Sequence, residues 1–194
     1  MELTDATREL NIVVVGDDFC GKSCLIGSYL TNEFSDEYRP NMHETHFTEI
    51  TLKGKRYNLN IHDIPGSDSY CKVHPCDYPQ ANCFIVCFAI NDENSLKNIQ
   101  TKWIPEIKHS CPEASFILVG TKSDLKNSPS QPVIPLVQCK AQCKSIGVKS
   151  FLECSAKTNE GAQKVFETTI KTVLKPVKRK PGKSQQCKCY CSIT

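Results

Sequence analysis

Asn11–Cys24 reads NIVVVGDDFCGKSC, and the rest of the chain is organised around this stretch. Ile12-Val13-Val14-Val15 is a β-branched run with no polar alternation, the pattern of a central parallel strand covered on both faces. Gly16 to Ser23 fits G-x-x-x-x-G-K-[ST]. In such a loop the backbone N–H groups of Asp18, Phe19, Cys20, Gly21, Lys22 and Ser23 turn inward. They cradle phosphate oxygens at the positive end of the helix that follows. Lys22 would reach the outer phosphates and the Ser23 hydroxyl would ligate Mg²⁺. A chance match in an ordinary strand–turn–helix is the alternative. The required strand precedes the motif, and a helical stretch, Lys22–Leu30, follows it.

The chain has 194 residues, enough for one α/β domain and a short tail. No apolar run is long enough to span a membrane, and the polar start MELTDATREL does not read as a signal peptide. Thirteen cysteines suggest a disulfide framework at first sight. They fall instead inside apolar strands (Cys83, Cys87), at helix spacing (Cys20, Cys24; Cys139, Cys143) or near the C-terminus, and read as reduced cytosolic thiols. No CxxC pair or finger-like Cys/His quartet is present, which argues against zinc. The net charge of +3 is uneven: seven basic residues and no acid follow Glu167, leaving 17 basic against 21 acidic residues before it. A mildly acidic body with a basic tail argues against a nucleic-acid surface and for an electrostatic tether.

Outward from the first strand, about Leu10–Val15, the pattern alternates strands and helices. Phe47–Leu52 and Tyr57–His62 form a hairpin about Lys53-Gly54-Lys55. Ala81–Ala89 and Ser115–Val119 are buried strands, and Ser150–Glu153 is a short one. Leu96, Ile99, Trp103 and Ile107 lie at helical spacing, with Pro105 a predicted kink. A helix carrying Leu136, Cys139, Cys143 and Ile146 closes at Gly147. A last one, from Ala162 to Val173, is stopped by Pro176. Thr31–Thr45 and Asp63–Pro79 read as long loops. The fold class that follows is α/β: a six-stranded, mainly parallel sheet with one antiparallel edge strand and helices on both faces. Ligands of such sheets bind beyond the strand carboxyl ends. The polar signals gather there: the phosphate loop, Asp63, Thr121-Lys122-Ser123-Asp124, and Glu153-Cys154-Ser155-Ala156-Lys157.

Asp124 can accept two hydrogen bonds from the N1–H and N2 amino group of guanine. Adenine lacks that donor pair, so an unpaired buried carboxylate would reject it by several kcal/mol, order of magnitude. The Lys122 stem can cover the ring, and the Ala156 N–H can donate to O6. Two surface loops rich in Lys and Ser are the plain alternative. The order phosphate loop, D-x-x-G, TKSD, CSAK favours the site.

On these motifs the chain resembles the Ras-superfamily small GTPases, and within them the Rho/Rac type. The finer likeness rests on Phe34-Ser35-Asp36-Glu37-Tyr38, Tyr78-Pro79-Gln80, Trp103-Ile104-Pro105-Glu106, Cys111-Pro112, Val119-Gly120-Thr121-Lys122, Glu153-Cys154-Ser155-Ala156 and a basic tail with a cysteine box. The resemblance covers essentially the whole chain. It implies GTP/GDP and Mg²⁺ as ligands. It implies a nucleotide-contacting set of Gly16, Asp18, Phe19, Cys20, Gly21, Lys22, Ser23, Cys24, Phe34, Asn41, Gly66, Thr121, Lys122, Asp124, Ser155, Ala156 and Lys157. Phe34 would pack edge-on against guanine, Gly66 would donate its N–H to the γ-phosphate, and Ser23, Asn41 and Asp63 would serve the metal. Thr31–His46 and Ile64–His74 would be two switches facing effector proteins, exchange factors and GDI-type proteins, on a monomer with actin-cytoskeletal output.

Three positions depart from the family pattern. Asp18 replaces a glycine and crowds the space of the attacking water and an arginine finger. Its charge repels a γ-phosphate by roughly 3 kcal/mol, taking about 5 Å and an effective dielectric near 20. Ser67 stands for the water-orienting glutamine and is too short for it, a loss of about a hundredfold or more in rate. Asn41 stands for the metal-ligating threonine, and His43 alters the adjoining surface. Together with a short Asp124–Glu153 span, which reduces or removes the Rho-type insert helix, these changes predict retained binding with weak hydrolysis. With Lys22 and Ser67 as the remaining hydrolysis-linked residues, a hydrolysis-dead membrane scaffold is the rival. A P-loop small-molecule kinase is disfavoured by the scarcity of arginines, four in all.

The domain reading is a nucleotide-binding body, 1–174, and a disordered polybasic tail, 175–194. Cys191-Ser192-Ile193-Thr194 loosely fits a prenylation box, and Cys187 and Cys189 are acylation candidates. One lipid with a basic run is the two-signal pattern for anionic membranes, here the cytoplasmic face of the plasma or internal membranes with a cytosolic pool.

Overall fold

The computed structural model of the chain describes residues 8–34, 43–66, 78–128, 131–148 and 150–175. Its centre is β1 (Arg8–Gly16), paired in parallel with β3 (Lys55–Asp63) on one side and β4 (Cys83–Ala89) on the other. β5 (Ser115–Thr121) and β6 (Phe151–Glu153) extend the parallel sheet, and β2 (Glu44–Leu52) adds an antiparallel edge beyond β3. The strand order is β2-β3-β1-β4-β5-β6, the six-stranded, mainly parallel sheet expected from the sequence.

The apolar run of β1 is explained by its two faces. Ile12 and Val14 pack beneath α1 (Lys22–Thr31) and the last helix, α5 (Ala162–Leu174), with Leu25, Ile26, Phe166 and Ile170. Val13 and Val15 face the opposite layer with Trp103, Ile107, Cys139 and Ile146. Each face therefore needs an apolar residue at every position, and period-two alternation is erased. The hairpin turn is two residues, Lys53 and Gly54, both at positive φ (53° and 75°). That pair matches the right-handed twist of the flanking strands.

The predicted kink at Pro105 takes another form. α2 (Glu93–Asn98) runs through a π turn, Ile99–Trp103, into α3 (Ile104–Ser110), and the Ile104 N–H bonds to the Ile99 carbonyl. Pro105 cannot donate to the carbonyl one turn back, and its ring crowds that carbonyl. The wide turn just before it relieves both without breaking the helix. α4 (Leu136–Ile146) ends at Gly147 in the left-handed region, as read from the sequence. Short 3₁₀ turns at Tyr78–Gln80 and Ser123–Asn127 were not anticipated; they are too brief to leave a periodic signal. Among the described residues between Asn127 and Leu136 there is no helix.

Eight cysteines are described, and the buried ones, Cys20, Cys83, Cys87, Cys139, Cys143 and Cys154, carry free thiols. Burial pushes Cys20 and Cys143 up to about 11, and Cys83 and Cys154 up to about 12, so these side chains are apolar packing rather than nucleophiles. No described helix is long and apolar enough to cross a membrane. Residues 35–42 of the first expected switch loop, 67–74 of the second, and the tail from Pro176 lie outside the described residues.

Candidate functional site

The carboxyl ends of β1, β3, β5 and β6 open onto one cavity of about 1020 Å³. The loop from Gly16 to Ser23 forms its floor. α1 starts after Gly21, whose φ is +88°, and its N-terminal end, with Lys22, Ser23 and Cys24, faces the cavity. Lys22 is buried and its Nζ donates to the Asp17 carbonyl at 2.9 Å, which holds an ammonium at the cavity floor. Phe19 adopts positive φ (62°) and stands 65% exposed at the cavity rim. Gly16 is irreplaceable on steric grounds: φ is +146°, and a Cβ would lie 2.3 Å from the Cys87 carbonyl oxygen of the neighbouring strand.

At the far end, two loops are tied together. Asp124 accepts a hydrogen bond from Ser155 Oγ at 2.6 Å, and the Ser123 N–H donates to the Cys154 carbonyl at 3.0 Å. Ser155 and Glu160 exchange backbone bonds of 2.9 and 3.0 Å, which closes the loop carrying Ala156 and Lys157. Buried Thr121 donates to the Cys20 carbonyl and so joins this end to the phosphate loop. Lys122, Asp124, Ala156 and Lys157 line the cavity, as do Phe34 and Cys24. One carboxylate, aimed and held by a serine, beside a lysine stem and a free-standing loop, is a chemistry suited to a purine edge bearing two donors.

Between the two ends, Ser23 Oγ donates to Asp63 Oδ2 at 2.5 Å, with Asp63 buried. A hydroxyl and a carboxylate side by side are hard oxygen donors of the kind Mg²⁺ prefers, so the residues present fit that ion. A buried lysine and a helix start facing the cavity likewise fit a polyphosphate. Among the described residues no group of three or more His, Cys, Asp and Glu side chains is gathered where it could hold a metal. Asn41 and Ser67, and the tail cysteines Cys187, Cys189 and Cys191, lie outside the described residues.

The structure adds residues the sequence reading passed over. Asp17 accepts from Trp103 Nε1 and from Asn98 Nδ2, each at 2.7 Å, which pins the phosphate loop to the π turn and the end of α2. Gly66 is gripped on both polar atoms: its N–H donates to Asp18 Oδ1 and its carbonyl accepts from Lys102 Nζ, each at 2.9 Å. Asp17 sits at an unconstrained position of the loop motif, and its partners are more than 80 residues away, so no local pattern announces it. Asp18 lines the cavity, and its carboxylate accepts from the Gly66 N–H.

The Ras family model matches residues 11–175. A Drosophila melanogaster protein described as Ras-like GTP-binding protein RhoL is 36% identical over 186 residues, covering 96% of this chain and 97% of that protein. Proteins of this family bind GTP and GDP with Mg²⁺ and act as switches. The match spans the sheet, the phosphate loop and both base-end loops without interruption, and the chain therefore belongs to the Ras family of small GTPases.

Proposed function

We propose that the chain is a switch of the Rho/Rac type that binds guanine nucleotide firmly, hydrolyses GTP slowly, and works from the cytoplasmic face of a membrane. One observation supports this best. The base-end pair Asp124–Ser155 and the metal-end pair Ser23–Asp63 are assembled, while Asp18 closes onto Gly66, the residue whose N–H the family resemblance assigns to the terminal phosphate. In this reading the amides of residues 18–23 and Lys22 bind the phosphates, and Asp124 selects guanine through its paired donors. Ser23 and Asp63, with Asn41, would hold Mg²⁺, which when bound offsets phosphate charge. Asp18 excludes the attacking water and an incoming arginine, and Ser67 is too short to orient that water.

The resemblance supports effectors and exchange factors acting through 31–46 and 64–74, GDI-type partners and output to actin. The body would be 1–174 and the tail 175–194, with prenylation at Cys191, acylation at Cys187 or Cys189, and basic residues on an anionic leaflet. Chromatography of nucleotide released from gently purified protein is expected to show guanine nucleotides, GTP prominent. A single-turnover rate equal to that of ordinary family members would refute slow hydrolysis. Asp124→Asn is expected to weaken GTP binding and admit xanthosine nucleotides; unchanged GTP affinity would refute the base assignment. Trapped GTP that never exchanges would favour a static scaffold over a cycling switch.

A further inference from the structure

We propose that Asp18 sets how this chain distinguishes a nucleoside triphosphate from a diphosphate, by holding with its own carboxylate the Gly66 amide that a terminal phosphate oxygen would otherwise take. The inference rests on the guanine-nucleotide reading above and deepens it.

The geometry is specific. Asp18 Oδ1 accepts from the Gly66 N–H at 2.9 Å. A carboxylate oxygen and a phosphate oxygen make the same demand on that amide, since both are anionic acceptors. The contact leaves nothing to spare: a Cβ on Gly66 would lie 2.2 Å from the Asp18 nitrogen and 2.4 Å from the Asp17 carbonyl carbon. Neither partner is loosely placed. Asp17 is pinned by Trp103 and Asn98, and the Gly66 carbonyl is held by Lys102, the neighbour of Trp103 in the same π turn. Asp18 and Gly66 are thus aimed at each other from one rigid support.

With a diphosphate bound, Gly66 keeps an anionic acceptor. With a triphosphate bound, the terminal phosphate must displace the Asp18 carboxylate and then lie beside its charge. The gain that a third phosphate draws from Gly66 is cancelled in advance, so the two nucleotides bind with more equal strength than they would over a bare loop.

The test compares full-length wild type, Asp18→Asn and Asp18→Gly. Affinities for GDP and for a non-hydrolysable GTP analogue are measured by competition with a fluorescent guanine nucleotide in Mg²⁺ buffer. The ratio of analogue to GDP affinity is expected to rise on the order of ten- to a hundredfold in Asp18→Gly, the worth of one charge-assisted bond. Asp18→Asn, which keeps an acceptor and loses the charge, should rise less. In parallel, amide exchange at Gly66 is followed by NMR on the protein exchanged into GDP, or nucleotide-free where none binds, and is expected to be at least about tenfold faster in Asp18→Gly. An affinity ratio within twofold of wild type overturns the proposal, as does equal Gly66 exchange. If no variant binds either nucleotide, the guanine reading fails, and the Gly66 exchange rates still decide whether Asp18 holds the amide.

Discussion

Trp103→Phe tests whether the phosphate loop is held in shape by the protein itself. The indole N–H donates to Asp17 Oδ1 at 2.7 Å, and Trp103 is wholly buried. Phenylalanine keeps an aromatic face for the Lys102 ammonium, which lies 4.4 Å from the ring centroid, but it cannot donate. Asp17 then retains Asn98 and loses its second side-chain donor. A hydrogen bond to a charged group is worth about 1.5–3 kcal/mol. The smaller ring leaves an unfilled volume costing about 1 kcal/mol more. The expected loss is about 2.5–4 kcal/mol, or about 5–15 °C in Tm for a domain of this size. Thermal unfolding at fixed GDP and Mg²⁺ reads it, because ligand concentration alone moves Tm. A double-mutant cycle with Asp17→Ala isolates the pair, with an expected coupling of at least about 1.5 kcal/mol. A Tm drop under about 2 °C with coupling under about 0.5 kcal/mol would show that the loop does not depend on this anchor.

Gly27→Ala should stabilise the protein by about 0.5–1 kcal/mol in urea unfolding, since Gly27 lies inside α1 and a Cβ there meets nothing within 4 Å. Gly16→Ala should do the reverse, costing at least about 3 kcal/mol or abolishing folding, because the new Cβ strikes the Cys87 carbonyl at 2.3 Å. The buried thiols predict an alkaline limit. Burial raises Cys20 from 9.0 to about 11 and Cys83 and Cys154 to about 12, so the folded state binds more protons than the unfolded one above pH 9. Their contribution is complete below the unfolded value and is lost as pH climbs toward 11–12, at about 1.4 kcal/mol per pH unit per thiol. Stability measured from pH 8 to 11 should fall, and Cys83→Ala should make that fall shallower.

What the sequence makes legible follows from the range of the forces involved. β1, the loop after it and α1 are written locally, in a β-branched run, two glycines and an unbroken helical stretch. The end of α4 at Gly147 is equally local, because only the left-handed conformation is needed there. Asp124 and Ser155 are 31 residues apart, yet each sits in a recognisable loop motif, so their meeting is implied by the order of motifs. The anchor on Asp17 has no such trace. Its donors come from the end of α2 and from the π turn, whose five-residue hydrogen bond is a tertiary compromise around Pro105, and periodicity records only that Trp103 faces inward.

The same contrast divides the site into two halves with different physical logic. The base end is closed by bonds between loops, Asp124 to Ser155 and Ser123 to Cys154, that no phosphate chemistry disturbs. The phosphate end is closed by a residue that departs from the family pattern, and that residue bonds to the backbone rather than hanging in solvent. A carboxylate left facing the cavity would merely repel the nucleotide. One already paired with Gly66 can leave GDP binding intact while taxing only the third phosphate. Substitution at Asp18 should therefore act on the choice between nucleotides, whereas substitution at Asp124 should act on the choice of base. The two effects should add in free energy, because the cavity separates the residues and they share no partner. If Asp18→Gly and Asp124→Asn were strongly non-additive in GDP affinity, the two-part description of the site would be wrong.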